Sequence, residues 1–346
     1  MVCPEHLLPH FVTLGESSQV RECFIAGTPT ESFVQGTTYL HPGFTLGTVN
    51  RSDFWHQRRP FVAYWGKPGA EQFIQMRGHK NKHDFTSANS VTVQSGPCAL
   101  TLMNFLTQSG DRHPSLDMIK DDQFQADDIR LRLQISGAPE EPHIQVNGQS
   151  VQIGDRFGIG DRVTLDLGGL YIGVCYPAGQ FGDATAFGEI VEDEEGLWID
   201  NVIYSGENQT WHWAALGDAG AVAAVCLSSR SEGSRQAFDR AFADQTIDAH
   251  IADGRMKATW EAESDVLSAT ASAIPSDRKT HASDFRTLIN GQEVALTRIS
   301  QDKIADRPVT NMKTQIPTGY RTCGDLCVPG LSGSLRQYVP CALHIV

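Results

Sequence analysis

Asp128-Ile-Arg-Leu-Arg-Leu-Gln-Ile-Ser136 alternates polar and apolar residues without a slip. Successive side chains of a strand point to opposite faces, so this run describes a sheet with one face in a core and one in water. Val163-Thr-Leu-Asp-Leu167 and Leu170-Tyr-Ile-Gly-Val-Cys-Tyr176 continue the pattern. Asn147-Gly148 and Asn290-Gly291 each separate two strand-like runs and suit type I′ hairpins, whose central residues both need positive φ. Further strands are expected at Gly196–Tyr204, Ala219–Leu227, Thr246–Ile251, Arg255–Glu261 and Val266–Ala271. Asp253-Gly254 and Ser264-Asp265 would turn the last three into a meander.

One helix stands out. Ser234 can cap Arg235–Gln245, with Phe238, Ala241 and Phe242 on one face, and it should plug a side or edge of the sheet. Short strands punctuated by turns, with almost no helix, predict an all-β protein. The expected form is a large multi-stranded antiparallel β-sandwich, supersandwich-like, with one short helix. Two large curved sheets are expected, because the strand-rich length exceeds a single seven-strand sandwich. Residues 1–311 form this domain. Residues 312–346, with many Gly, Pro and Ser and no alternation, read as an irregular tail. No fixed-period repeat points to a propeller or solenoid.

Composition narrows the function classes. The 346 residues are 40% hydrophobic and 20% charged, as in a soluble globular protein that buries a substantial core. Net charge of −13 and a pI near 5.3 exclude a general nucleic-acid binder. No apolar run approaches a membrane span, so no membrane partner is expected. MVCPEHLLPHF lacks the basic start and apolar stretch of a signal peptide and has the look of an interior segment. The compartment stays open.

Eight cysteines at 3, 23, 98, 175, 226, 323, 327 and 341 are too scattered for a disulfide framework. Cys175 and Cys226 lie in apolar strand-like runs and read as buried free thiols. Cys323, Cys327, Cys341 and His344 have the residue types of a zinc site at an unusual spacing, and read more simply as part of the tail. No metal is assigned.

Candidate chemistry concentrates between Gly36 and Asp84. From Asn50 to Phe85, seven Lys/Arg face three Asp/Glu; this local +4 in a chain of −13 leaves −17 on the remainder. Trp55, His56, Arg58 and Arg59 precede a turn at Arg59-Pro60, and Phe61–Trp65, with Tyr64, resembles a following strand. Arginine forks pair with carboxylates and sulfates while Trp and Tyr faces stack on sugar rings, so the set suits an anionic saccharide. The structural alternative puts Trp55 and Trp65 in the core and Arg58 and Arg59 in ion pairs.

Arg77-Gly-His-Lys-Asn-Lys-His83-Asp84 reads as a loop, because Gly78, Asn81 and the missing apolar periodicity oppose a helix. There His79 and His83 are either bases beside a cationic carboxylate clamp, exposed basic residues, or ligands of a metal that the neighbouring cations disfavour. His113 beside Asp111 and Asp117 reads as a turn or an acid/base pair. Tyr204 and Trp211-His-Trp213 form either a sugar platform or inter-sheet packing. Val191-Glu-Asp-Glu-Glu195 reads as a solvated hairpin edge. No GxSxG, P-loop, HExxH or helix-opening GxGxxG is present, and no cofactor is implied.

Tyr39-Leu-His-Pro-Gly-Phe-Thr-Leu-Gly47 followed by Trp55-x-Gln57 resembles a segment of the heparinase II/III-like polysaccharide lyases, which pair a helical toroid with a β-sandwich. The resemblance covers about thirty residues by motif and implies a multi-sheet sandwich acting on uronate-containing acidic polysaccharide by β-elimination. In that chemistry Arg58, Arg59 and Arg77 would neutralise the uronate carboxylate. His56, His79, His83 or Tyr64 would remove the α-proton, with Trp55, Trp65 and Trp211 as further sugar contacts. No catalytic motif of the family matches cleanly. The chain carries no toroid, so three readings stay open: the sheet half of a lyase with a toroid as partner, a non-catalytic module that docks a partner domain, or a freestanding lyase that lost the toroid.

Overall fold

The computed structural model describes residues 17–25, 33–50, 59–67, 70–85, 87–106, 119–139, 141–273 and 286–294, with the backbone of 321–326 and 335–339. The chain forms open antiparallel sheets and a single short α-helix among the described residues. A ten-stranded front sheet runs Ser18–Ile25, Phe33–His41, Phe44–Asn50, Phe61–Lys67, Ala70–Lys80, Gln123–Ser136, Gly196–His212, Phe187–Asp193, Arg156–Phe157, with His83–Asp84 added to Ala70–Lys80. A seven-stranded middle sheet runs Gln149–Ser150, His143–Val146, Arg162–Asp166, Leu170–Phe181, Ala219–Ser229, Cys98–Asn104, Asn89–Ser95. A five-stranded back sheet is the meander Ile247–Ala252, Arg255–Ala262, Asp265–Ser272, Arg286–Ile289, Gln292–Glu293.

The third layer departs from the two sheets expected. Leu131, Leu133, Ile135, Ile74 and Ile199 of the front sheet pack on Val163, Ile172, Val174, Ala223 and Val225 of the middle sheet. The opposite face of that middle sheet, with Val93, Leu100, Leu102, Val222 and Ala224, packs on Met256, Trp260 and Leu267 of the back sheet. A sheet covered on both faces has no polar side, which is why its strands Cys98–Asn104 and Ala219–Ser229 are apolar nearly throughout. The back sheet closes the stack by alternation: Met256, Ala258, Trp260 and Ala262 point in, and Arg255, Lys257, Thr259 and Glu261 point out.

Turn chemistry follows the sequence. Asn147-Gly148, Asp253-Gly254 and Asn290-Gly291 all have positive φ at both positions, at 49° and 78°, 53° and 76°, and 52° and 75°. The remaining meander turn is Glu263-Ser264, one residue earlier than expected. Arg77–Asp84 is also not a loop: its first residues complete the strand Ala70–Lys80, and Asn81-Lys82, at φ 52° and 69°, turns the chain into His83–Asp84. Strand alternation simply runs on through Gly78, whose Cβ would meet the Met103 sulfur at 2.8 Å. In the segment read as an irregular tail, Arg321–Leu326 pairs antiparallel with Leu335–Val339; the expected boundary near 311 lies outside the described residues.

Cys98 and Cys226 stand opposite each other on neighbouring strands and form a disulfide, which corrects the free-thiol reading of Cys226; Cys175 is free and buried. No helix among the described residues is long and apolar enough to cross a membrane.

The helix, Arg235–Ala243, starts where Ser234 Oγ accepts from the Ala237 amide at 3.3 Å. Its Phe242 fills the space left by Gly173, where an added Cβ would lie 2.7 Å from the ring, and meets Trp260 edge-on at 6.4 Å. The helix thus stoppers the gap between middle and back sheets. Phe242→Ala should lower the unfolding free energy by about 3–5 kcal/mol. The expected readout is a lower urea midpoint with an unchanged slope; an unchanged midpoint would refute the stopper role.

Candidate functional site

The outward face of the front sheet carries an unusual density of charge. Where Ile74 and Met76 point to the core, Gln75, Arg77 and His79 point away; where Leu131, Leu133 and Ile135 point in, Arg130, Arg132 and Gln134 point out. Register aligns these residues into rows. Gln75, Gln134 and Trp198 face one another across three strands, Arg77, Arg132, Asp200, Glu189 and Arg156 across five, and His79, Arg130, Val202 and Phe187 across four.

One half of the face is organised by Asp200, which is fully buried. Arg132 Nε donates to its two oxygens at 2.9 and 3.1 Å, and Arg130 Nη1 donates to Oδ2 at 3.0 Å. Arg130 also reaches Asp128 and Glu189 at 2.8 Å. Burial pushes the Asp128 carboxyl up, against the pull of Arg130.

The other half is organised by Asp84, which accepts from Arg77 Nε at 2.9 Å and Arg59 Nη2 at 3.2 Å. Arg77 Nη1 donates to Glu195 Oε2 at 2.9 Å and Gln134 Oε1 at 3.3 Å. Arg59 Nε donates to Gln75 Oε1 at 2.8 Å, and Gln75 donates to Gln134. Trp198 lies beneath these groups, with the Arg132 guanidinium 3.8 Å and the Arg77 guanidinium 5.6 Å from its ring centre and its Nε1–H on Asp193. Guanidinium stacking of this kind holds the forks flat.

His79 joins the two halves. Its Nδ1 is 3.4 Å from Arg132 Nη1, and its Nε2 makes a long contact of 3.4 Å with Asp84 Oδ1. Burial, with the charges of Arg77 and Arg132, lowers the imidazole pKa in spite of Asp84, so the ring is neutral at pH 7. Burial opposes ionisation of Asp84, but His79, Arg77 and Arg59 together hold it well below the ordinary carboxylate range.

Of the residues singled out in the sequence, Arg59, Arg77 and His79 come together here. Trp55, His56 and Arg58 lie outside the described residues, as do His113 and its neighbours. Tyr64 points outward and is 53% exposed, opposite Phe73. Trp65, expected as a sugar contact, is instead only 5% exposed and belongs to the core beside Phe44 and Phe61, because it alternates with Tyr64. His83 does not join His79: it is adjacent to Asp84 in a strand, so its side chain leaves from the opposite face. Trp211 is packed edge-to-face against Phe181 and Tyr204 at 5.0 and 5.1 Å, which makes it inter-sheet packing rather than an open platform.

Arg130, Arg132, Trp198, Asp200 and Glu195 escaped the reading of the sequence. Arg-x-Arg on a strand's polar side and Trp-Ile-Asp inside the apolar run from Leu197 to Ile203 were the available signals. Among the described residues one group of three possible metal ligands occurs, Cys98, Cys226 and Glu263, and two of its members are joined to each other.

Asp200→Ala would leave Arg130 and Arg132 without their shared buried counter-ion and should cost about 3–5 kcal/mol of stability in denaturant unfolding. A loss below about 1 kcal/mol would show that the arginines re-pair. For Asp84 the folded pKa is depressed, so its contribution is complete above the unfolded carboxylate pKa of about 4 and is lost as pH falls toward the folded value. Asp84→Asn should therefore melt lower than the parent at neutral pH, with the gap closing below about pH 4. A gap independent of pH would contradict this ion pairing.

No protein-family model matches the chain, and no curated protein is significantly similar to it.

Proposed function

We propose that this chain engages a uronate-containing acidic polysaccharide across the outward face of its front sheet, as the glycan-facing sheet domain of a polysaccharide-processing protein. The observation that carries this reading is the Arg77 fork, squared by Asp84, stacked over Trp198 and reaching solvent beside Glu195. A carboxylate on a sugar ring meets such a fork in two parallel hydrogen bonds. Tyr64 and Phe73 lie on the same face, four residues along the strand from Arg77 or about 13 Å, within the span of a short oligosaccharide. They supply the apolar surface on which a neighbouring ring stacks.

The arrangement supports binding better than elimination by this chain alone. β-Elimination needs a base at the α-carbon of the uronate. His79, although neutral, is buried with both ring nitrogens turned to protein groups, and Tyr64 stands rows away from the guanidiniums. In this reading the base comes from a partner helical toroid domain. A second reading is favoured by the internal pairing of the arginines: the face docks that partner and touches no glycan.

The isolated chain distinguishes the two. Parent protein should be retained on polygalacturonate or hyaluronate at low salt, Arg77→Gln should weaken binding at least about tenfold, and Tyr64→Ala should weaken it several-fold. Absorbance of the same mixtures should stay flat in the ultraviolet, since no unsaturated uronate forms. Absence of retention would leave the docking reading standing, and rising absorbance would assign catalysis to this chain.

A further inference from the structure

The acidic hairpin tip at Glu194-Glu195 folds back over the arginine face, and one of its carboxylates sits where a ligand's would. We infer that Arg77 is a monocarboxylate subsite that Glu195 fills in the free protein, and that a uronate carboxylate binds by displacing it. The inference rests on the glycan reading above.

Exposure separates Glu195 from every other anion of the cluster. The side chains of Asp200, Asp128, Glu189 and Asp84 are 0, 16, 17 and 25% exposed, whereas that of Glu195 is 53% exposed. An ion pair at the surface contributes little, so this partner of Arg77 is the one exchanged at least cost. The other partner, Asp84, stays in place to square the fork for an incoming carboxylate.

The tip itself is held without the Glu195 side chain. Gln134 Nε2 donates to the Glu195 carbonyl at 2.9 Å, the Glu195 amide donates to Asp193 Oδ1 at 2.8 Å, and that same oxygen accepts from Trp198 Nε1. Gly196, at φ +127°, brings the turn so close that a Cβ would stand 2.4 Å from the Ile135 carbonyl oxygen. The backbone is thus pinned beside Arg77 while the carboxylate alone is free to swing.

Charge defines the ligand. With Glu195 swung out, Arg77 keeps one carboxylate partner, Asp84, and loses the other. A single carboxylate replaces the lost partner one for one, whereas a dianionic phosphate brings a second charge.

The test is calorimetry of parent, Glu195→Gln, Glu194→Gln and Glu195→Gln/Arg77→Gln with a galacturonate trisaccharide and, separately, with inorganic phosphate. Glu195→Gln should bind the trisaccharide about tenfold tighter than the parent, Glu194→Gln should match the parent, and the double variant should lose the gain. Phosphate affinity should not rise comparably. If the parent binds and Glu195→Gln is no tighter, the displacement model fails while the glycan reading survives. Equal tightening by Glu194→Gln overturns it in favour of general charge. Binding by neither parent nor Glu195→Gln overturns both.

Discussion

The architecture depends on central strands of the middle sheet that have no wettable face. Cys98–Asn104 and Ala219–Ser229 are buried on both sides, so an exposed version of either face would leave a broad apolar surface in water. The front sheet covers one side and the Ile247–Glu293 meander covers the other, with Phe242 sealing the gap beside the helix. Both outer sheets can then afford alternation, apolar inward and polar outward. The charged face of the front sheet is a consequence of that stacking.

What the outward face does with its freedom differs between the two outer sheets. On the back sheet, Arg255, Lys257 and Glu261 stand separately in solvent. On the front sheet the charges are gathered into rows, largely buried, and tied to Asp84 and Asp200. Burying ions in this way costs desolvation that their mutual attraction only partly offsets, so it is a poor route to stability by itself. Its physical return is orientation: guanidiniums stacked on Trp198 and fixed by carboxylates behind them cannot wander as a solvated arginine does. A face prepared in that manner suits recognition of a planar anion, which is the ground for reading it as a carboxylate-binding surface.

Much of the fold was legible because it rests on local periodicity. The alternation of 128–136, the Asn-Gly and Asp-Gly turns and the Ser234 cap each act over a few residues, and each appears where the letters put it. The third layer was missed although Ala219–Leu227 carries a run without polar alternation, the mark of a strand buried on both faces. Arg77–Asp84 looked like a loop because strand pattern on a polar face offers no apolar residues to count.

By itself, then, the sequence determined the all-β class, most strands and their turns, because period-two geometry needs nothing beyond the chain's own covalent structure. Only the tertiary structure decided which rows came into register. Arg132 and Asp200 are 68 residues apart, and Arg77 and Glu195 are 118 apart. Such partners are chosen by which strands become neighbours and in what register, and a slip of one residue would send every one of these side chains into the core. That is why Arg59, Arg77 and His79 were visible in the letters while Arg132, Trp198, Asp200 and Glu195, which make them a site, were not.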